Sequence, residues 1–236
     1  KINNESVGVL LDAALKINPH VRFLQASSSE IFVPSPSPLH EDSPRDWETK
    51  NPYAIAKMSA DRDFIVRSRD TQHAFACSAF LFNHESPRRT EVAVTRKITR
   101  TLVKIKLGLA SCLAIGNVDA SRDWGFAGDY VEAMWKMLQL DAPQDFVIAS
   151  GTLYTVRDVI NLTAEALDLA LTWHGEGVAT YATDDMGNKI VEVAPEFYRP
   201  TKPNPKVGDS SKAKRLLGWT PKVDFRSLVE MMVKAE

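Results

Sequence analysis

Residues 73–82 read HAFACSAFLF, an apolar run interrupted only by Ser78 after its opening His73. A strand with one wet face would alternate apolar and polar residues, so a run this continuous predicts a parallel strand buried on both faces. Working outward, Pro52 to about Arg69 has the spacing of a helix with proline in its first turn. Before it, Val21 to Ala26 (VRFLQA) reads as a short strand, and Val7 to Leu15 has helical apolar spacing. Residues 27–50 are rich in Ser, Pro, Asp and Glu, and Pro34, Pro36 and Pro38 forbid regular structure there, so they read as a long loop.

Downstream, 83–91 reads as a second polar loop and about 93–108 as a helix. Residues 113–115 read as a strand, Asp129 to Leu140 as an amphipathic helix, and Phe146 to Ala149 as a strand. Thr155 to Leu169 opens on a capping residue and reads as a helix. A Pro-rich stretch from Tyr198 to Val207 precedes two closing helices near 210–217 and 225–235. Strands alternating with helices predict an α/β fold: the C-terminal part of a doubly wound parallel (Rossmann-type) sheet plus a smaller α/β substrate-binding domain. The expected division puts 1–82 in the dinucleotide-binding domain, with 113–151 partly returning to it, and 83–112 and 152–236 in the substrate domain.

Composition narrows the function. Of 236 residues, 44% are hydrophobic and 25% charged, as in an ordinary globular protein. Lys+Arg 29 against Asp+Glu 30 gives a net charge of −1, so no global basic field favours a nucleic acid. No apolar run approaches the ~18–20 residues needed to span a bilayer. Cys77 and Cys112, both in strand-like apolar runs, read as buried free thiols, which fits a reducing, cytoplasmic setting. No Cys/His/Asp set has metal-ligand spacing around His84. The 11 glycines form no G-x-G-x-x-G turn. The chain opens on Lys1 inside a helix-like segment, so a missing N-terminal part carrying that turn is expected.

Two sets of residues can carry chemistry. Tyr53 and Lys57 lie four apart on one helix, where an ammonium can stabilise a phenolate and let it take a proton from an alcohol. Ser27-Ser28-Ser29-Glu30 follows a strand at its carboxyl end, where doubly wound folds place their sites. The adjacent Arg88 and Arg89 before a helix suit phosphate recognition, and Arg122 and Arg199 add further cations. A surface Tyr–Lys contact, a capped strand end and structural ion pairs are the plainer readings of the same residues.

The strings QASSSE, NPYAIAK, LFNHESPRR, VTRKITR, GNVDASRDWGFAGDYVEAMW, FVIASG, FYRPT and GDSSKAKRLLGW run in family order over nearly the whole chain. They resemble the GDP-mannose 4,6-dehydratase family of extended short-chain dehydrogenases/reductases. The resemblance implies catalytic roles for Ser28, Glu30, Tyr53 and Lys57. It implies cofactor contacts at Tyr53, Lys57, Asn83, His84, Arg88 and Arg89, and substrate contacts at Asn83, Glu85, Val94, Lys97, Arg122 and Arg199. It implies NADP, with NAD left open because the residue that meets the adenosine ribose lies upstream, and GDP-mannose as the small-molecule substrate. It also implies a homo-oligomer, dimer or tetramer; charge and hydropathy argue for neither nucleic acid nor membrane as partner. Without the expected N-terminal strands the sheet would have an unpaired hydrophobic edge, so these 236 residues alone are expected neither to hold NADP nor to turn over substrate.

Where the family usually reads Tyr-Gly after its Ser-Glu string, this chain has Phe32-Val33, and the bulkier Val is expected to push the loop from the cofactor. Thr90 and Ala93 replace a glycine and an aromatic residue. Two other readings stay open at this point: a nucleotide-sugar epimerase or 4-reductase, and a non-catalytic sugar-nucleotide-binding relic.

Overall fold

The computed structural model describes residues 2–200 and 205–236. In chain order the elements begin with α1 (Glu5–Ile17), β1 (Arg22–Ala26), α2 (Pro52–Ala60), α3 (Arg67–Gln72), β2 (Phe75–Leu81) and β3 (Asn83–Glu85). Then come α4 (Val94–Lys106), β4 (Leu113–Ile115), β5 (Ser121–Phe126), α5 (Ala127–Met137), β6 (Phe146–Ile148), β7 (Leu153–Thr155) and α6 (Val156–Ala166). The chain closes with β8 (Thr172–His174), β9 (Tyr181–Thr183), β10 (Lys189–Val193), α7 (Ser211–Leu217) and α8 (Phe225–Lys234).

Two compact units divide the chain. The first comprises Lys1–His84, Ala127–Thr152 and Lys206–Lys222, the second Glu85–Phe126, Leu153–Pro205 and Val223–Glu236. Residues 113–126 thus fall in the second unit and 206–222 in the first, which the local sequence pattern did not indicate.

The first unit is built on a parallel sheet of order β1-β2-β6, with Leu24 opposite Cys77 and Ala79 opposite both Ala26 and Phe146. Because side chains alternate along β2, its run feeds two cores. Cys77, Ala79 and Leu81 pack with Tyr130, Ala133 and Met137 of α5 and with Trp219. On the other face Phe80 and Phe82 pack with Ile31, Phe32, Leu39 and Met58. The expected double burial is what the strand has. Helix α2 runs into α3 through a wide π-type turn over Asp61–Val66, so the expected helix reaches Gln72. Under that turn, Ser78 Oγ donates to Asp61, Ser78 N donates to Asp145 (2.7 Å), and Arg69 clasps Asp145 with two nitrogens at 2.8 and 2.9 Å.

In the second unit a sheet of order β4-β10-β9-β8 pairs β4 and β10 in parallel and the rest antiparallel. Strands β5 and β7 pair antiparallel, with Arg122 opposite Tyr154. Helices α4, α6 and α8 close one core through Ile98, Leu102, Val159, Ile160, Phe225 and Val229, with Trp124 and Val191 from the strands. Helix α6 starts where Thr155 predicts it. The Thr155 and Asp158 side chains and backbone amides satisfy one another in a capping box.

Several boundaries differ from the sequence reading. The expected loop at 83–91 begins with strand β3, and the segment SRDWGF forms β5, in which neighbouring Asp123 and Trp124 are both buried. Helix α5 starts two residues earlier and ends three earlier than expected. Cys77 is buried in β2, whereas Cys112 is half-buried just ahead of β4; both are free thiols. Thr201 to Asn204, part of the Pro-rich stretch, lie outside the described residues. Among the described residues no helix is long and apolar enough to cross a membrane.

Candidate active site

Strand β1 ends at Ala26, and the next residues change direction over the end of the sheet. Ser27 N still donates to Ala79 O (2.9 Å). Its buried hydroxyl has no hydrogen-bond partner among the described residues. Ser28 is extended and caps a single 3₁₀ turn, Ser29–Ile31, its Oγ accepting from Glu30 N at 3.2 Å. That turn leaves the Glu30 side chain 41% exposed while Ile31 and Phe32 are buried beneath it.

Helix α2 packs against this turn. Asn51 caps the helix by accepting from Tyr53 N (3.0 Å), and Pro52 sits in the first turn, where its missing N–H costs nothing. Tyr53 is exposed. One helical turn on, Lys57 carries its Nζ to 5.6 Å from the Tyr53 ring centroid and donates to Ala26 O at 2.7 Å. Burial holds the Lys57 ammonium below the usual lysine range. Ser28, Glu30, Tyr53 and Lys57 are therefore brought together at the carboxyl end of β1. The Lys57 ammonium, the Tyr53 phenol and the unsatisfied Ser27 hydroxyl form a donor set suited to a ribose and a neighbouring amide.

The loop that follows is braced rather than loose. Phe32 pairs with Arg45, Val33 N donates to Pro44 O (2.9 Å) and Asp46 N to Ile31 O (2.8 Å). The Arg45 guanidinium lies 4.5 Å from the Phe32 ring centroid and 4.6 Å from that of Phe80, and donates to Ser43 O and Glu41 O. Val33 is exposed, and its φ lies outside the left-handed region, so no glycine is required there. Two residues that no motif marked also belong here. Arg45 is one. The other is Lys206, whose Nζ lies 3.1 Å from Glu30 O and 3.7 Å from Glu30 Oε2.

At the end of the same unit, Asn83 is half-buried, and His84 Nδ1 lies 2.8 Å from Phe82 O, its ring tilted against Tyr130 with centroids 5.1 Å apart. In the second unit Glu85 is buried, with Arg89 Nε 3.1 Å from its Oε2; burial raises its pKa, while Arg89 and Thr95 oppose that shift. Arg88 is exposed, its amide donating to Ser86 Oγ. Val94 opens α4 and packs on the core, and Lys97 lies one turn on, its Nζ 4.3 Å from the Phe197 ring centroid. Two residues beyond Phe197, the carbonyl of exposed Arg199 accepts from Asn117 Nδ2 (3.0 Å). Arg122 is exposed on β5, donating to Ser121 O (2.7 Å).

The family profile described as GDP-mannose 4,6 dehydratase matches residues 1–232. GDP-mannose 4,6 dehydratase 2 of Caenorhabditis elegans is 44% identical over 98% of this chain and 61% of its own length. The Vibrio cholerae GDP-mannose 4,6-dehydratase is 43% identical over 93% of this chain and 61% of its own. Among solved structures, one described as RMD from Pseudomonas aeruginosa complexed with NADPH has a TM-score of 0.81 at 20% identity, covering 99% of this chain and 72% of that one. A dTDP-glucose 4,6-dehydratase from Bacillus anthracis in complex with NAD has a TM-score of 0.79 at 17% identity, covering 99% of this chain and 67% of that one. At those identities the two structures bear on the fold alone, a Rossmann-type α/β fold. The chain spans about three fifths of the length of the curated relatives it matches. By profile and by identity, the chain belongs to the GDP-mannose 4,6-dehydratase family.

Proposed function

We propose that the protein containing this chain is a carbon–oxygen lyase that removes water from GDP-mannose to give GDP-4-keto-6-deoxymannose, with a nicotinamide cofactor, NADP, held at the end of β1. The observation that carries this reading is Glu30: an accessible carboxylate on a capped turn against which the helix of Tyr53 and Lys57 packs. Besides a hydride acceptor, alcohol oxidation at C4 needs a base such as the Tyr53–Lys57 pair; loss of the C6 hydroxyl also needs a group that takes the proton from C5.

Each residue then has a defined task. A nicotinamide held by Lys57, Tyr53 and Ser27 would supply the hydride chemistry that oxidation at C4 and reduction at C6 require. Tyr53, as phenolate, takes the proton of the 4-hydroxyl, and Lys57 stabilises that phenolate while its amine is held against Ala26 O. Ser28 orients the 4-oxygen. The resulting ketone acidifies C5, Glu30 takes that proton, and the same proton then leaves with the C6 hydroxyl as water. Tyr53 returns its own proton to C5, so atoms and charge balance. Lys57, Tyr53, Ser27, Asn83 and His84 are the first unit's candidates for holding the cofactor, and Glu85, Arg88, Arg89, Val94, Lys97, Arg122 and Arg199 the second unit's candidates for cofactor and GDP contacts. The first unit is accordingly the dinucleotide-binding domain and the second the substrate domain.

The test is mass spectrometry of GDP-mannose incubated with the protein as its own cells make it. A product lighter by one water is expected. A product of unchanged mass would point to an epimerase instead, and no product at all to a binding protein.

A further inference from the structure

Lys206 reaches the candidate base from far along the chain, and the backbone around it explains how. Leu39, buried after the Pro-rich loop, donates its amide to Val207 O (2.8 Å) and accepts from Asp209 N (2.8 Å). Gly208, between them, lies so close to the sheet that a Cβ there would sit 2.3 Å from Ala149 Cβ and 2.9 Å from Phe82 Cε2. With both backbones so placed, the Lys206 side chain, only 16% exposed, runs to Glu30. Its Nζ meets the Glu30 carbonyl at 3.1 Å and the carboxylate at 3.7 Å, while Ser28 Oγ holds the Glu30 amide. Glu30 is thus gripped at its amide, its carbonyl and its carboxylate.

An ion pair whose acid is this exposed adds little to stability. What it can supply is orientation, because a small displacement of a proton-transfer group costs far more in rate than in folding. We propose that Lys206 is a positioning residue for Glu30, holding its carboxylate in the orientation that takes the C5 proton and returns it to the leaving hydroxyl. This rests on the dehydratase reading above. It separates two stages of the reaction: C4 oxidation depends on Tyr53 and Lys57, and elimination alone depends on Lys206.

The experiment compares Lys206→Met and Lys206→Arg with the unsubstituted protein, as the source makes it and with its nicotinamide cofactor. For Lys206→Met, kcat is expected to fall by roughly tenfold to a hundredfold. KM should stay within about twofold, single-turnover C4 oxidation should keep its rate, and exchange of the C5 hydrogen with heavy water should slow in step with kcat. Lys206→Arg should recover most of the loss. An unchanged kcat, or a C4 oxidation rate that falls as far as kcat, overturns the proposal. Should the unsubstituted protein leave GDP-mannose intact, the dehydratase reading fails, and amide hydrogen exchange then reads the clamp by itself. Faster exchange at Glu30, Ile31 and Phe32 in Lys206→Met supports the grip on Glu30, and unchanged exchange contradicts it.

Discussion

Lys57 Nζ donates to the carbonyl oxygen of Ala26 at 2.7 Å, so the helix bearing Tyr53 is pinned to the last residue of β1. One half-buried ammonium thereby serves the fold and the candidate chemistry together. Strand end and helix share this anchor, and the phenol sits one helical turn from it.

That anchor sets a pH dependence. Burial lowers the Lys57 pKa from its ordinary 10.5, so the folded protein loses this proton at a lower pH than the unfolded chain does. Between the two values the unfolded chain binds more protons, so stability from this group rises with pH across that window. Activity should do the reverse, falling as pH rises through the folded value, because the phenolate loses its cation. Lys57→Arg should shift that alkaline limb upward, since a guanidinium stays charged. Rate against pH for both proteins checks it.

The Arg69–Asp145 pair ties α3 to the residue just ahead of β6. Asp145 takes two guanidinium nitrogens and the Ser78 amide, and both charged side chains are about a fifth exposed. Asp145→Ala strands a mostly desolvated cation and a backbone donor, and should cost about 3 kcal/mol of stability in urea denaturation.

In the second unit, Thr155→Ala removes one half of the capping box at α6. The expected loss is about 1 kcal/mol, read as a lower Tm.

Gly208→Ala tests the close approach beside Lys206. The new methyl would meet Ala149 and Phe82 inside van der Waals contact, so about 1–3 kcal/mol of stability should be lost. Unaltered denaturation would mean that the 206–209 segment can shift freely from the sheet.

What the sequence announced and what it concealed have physical reasons. Strand β2 was legible because burial on both faces leaves an apolar run broken only by Ser78, and α2 because Pro52 marks its first turn. Strand β5 was not: SRDWGF buries an acid next to a tryptophan and leaves Arg122 exposed, a pattern with no clean period of two. Tyr53 and Lys57 announced themselves by local spacing. Lys206 could not, because its partner Glu30 lies 176 residues away and only the ladder with Leu39 brings the two together. Arg45 likewise sat unmarked in a loop whose order comes from tertiary contacts with Phe32 and Phe80.

The central claim of the proposed function is that a hydride moves within one sugar by way of the nicotinamide, out at C4 and back at C6, while Tyr53 and Glu30 move the protons, Lys57 supports Tyr53 and water is lost between. The most direct measurement uses GDP-mannose carrying deuterium at C4 and the protein as its own cells make it. Deuterium found at C6 of a 4-keto-6-deoxy product is the predicted result. Deuterium retained at C4, or a keto product whose C6 carries none, would contradict it.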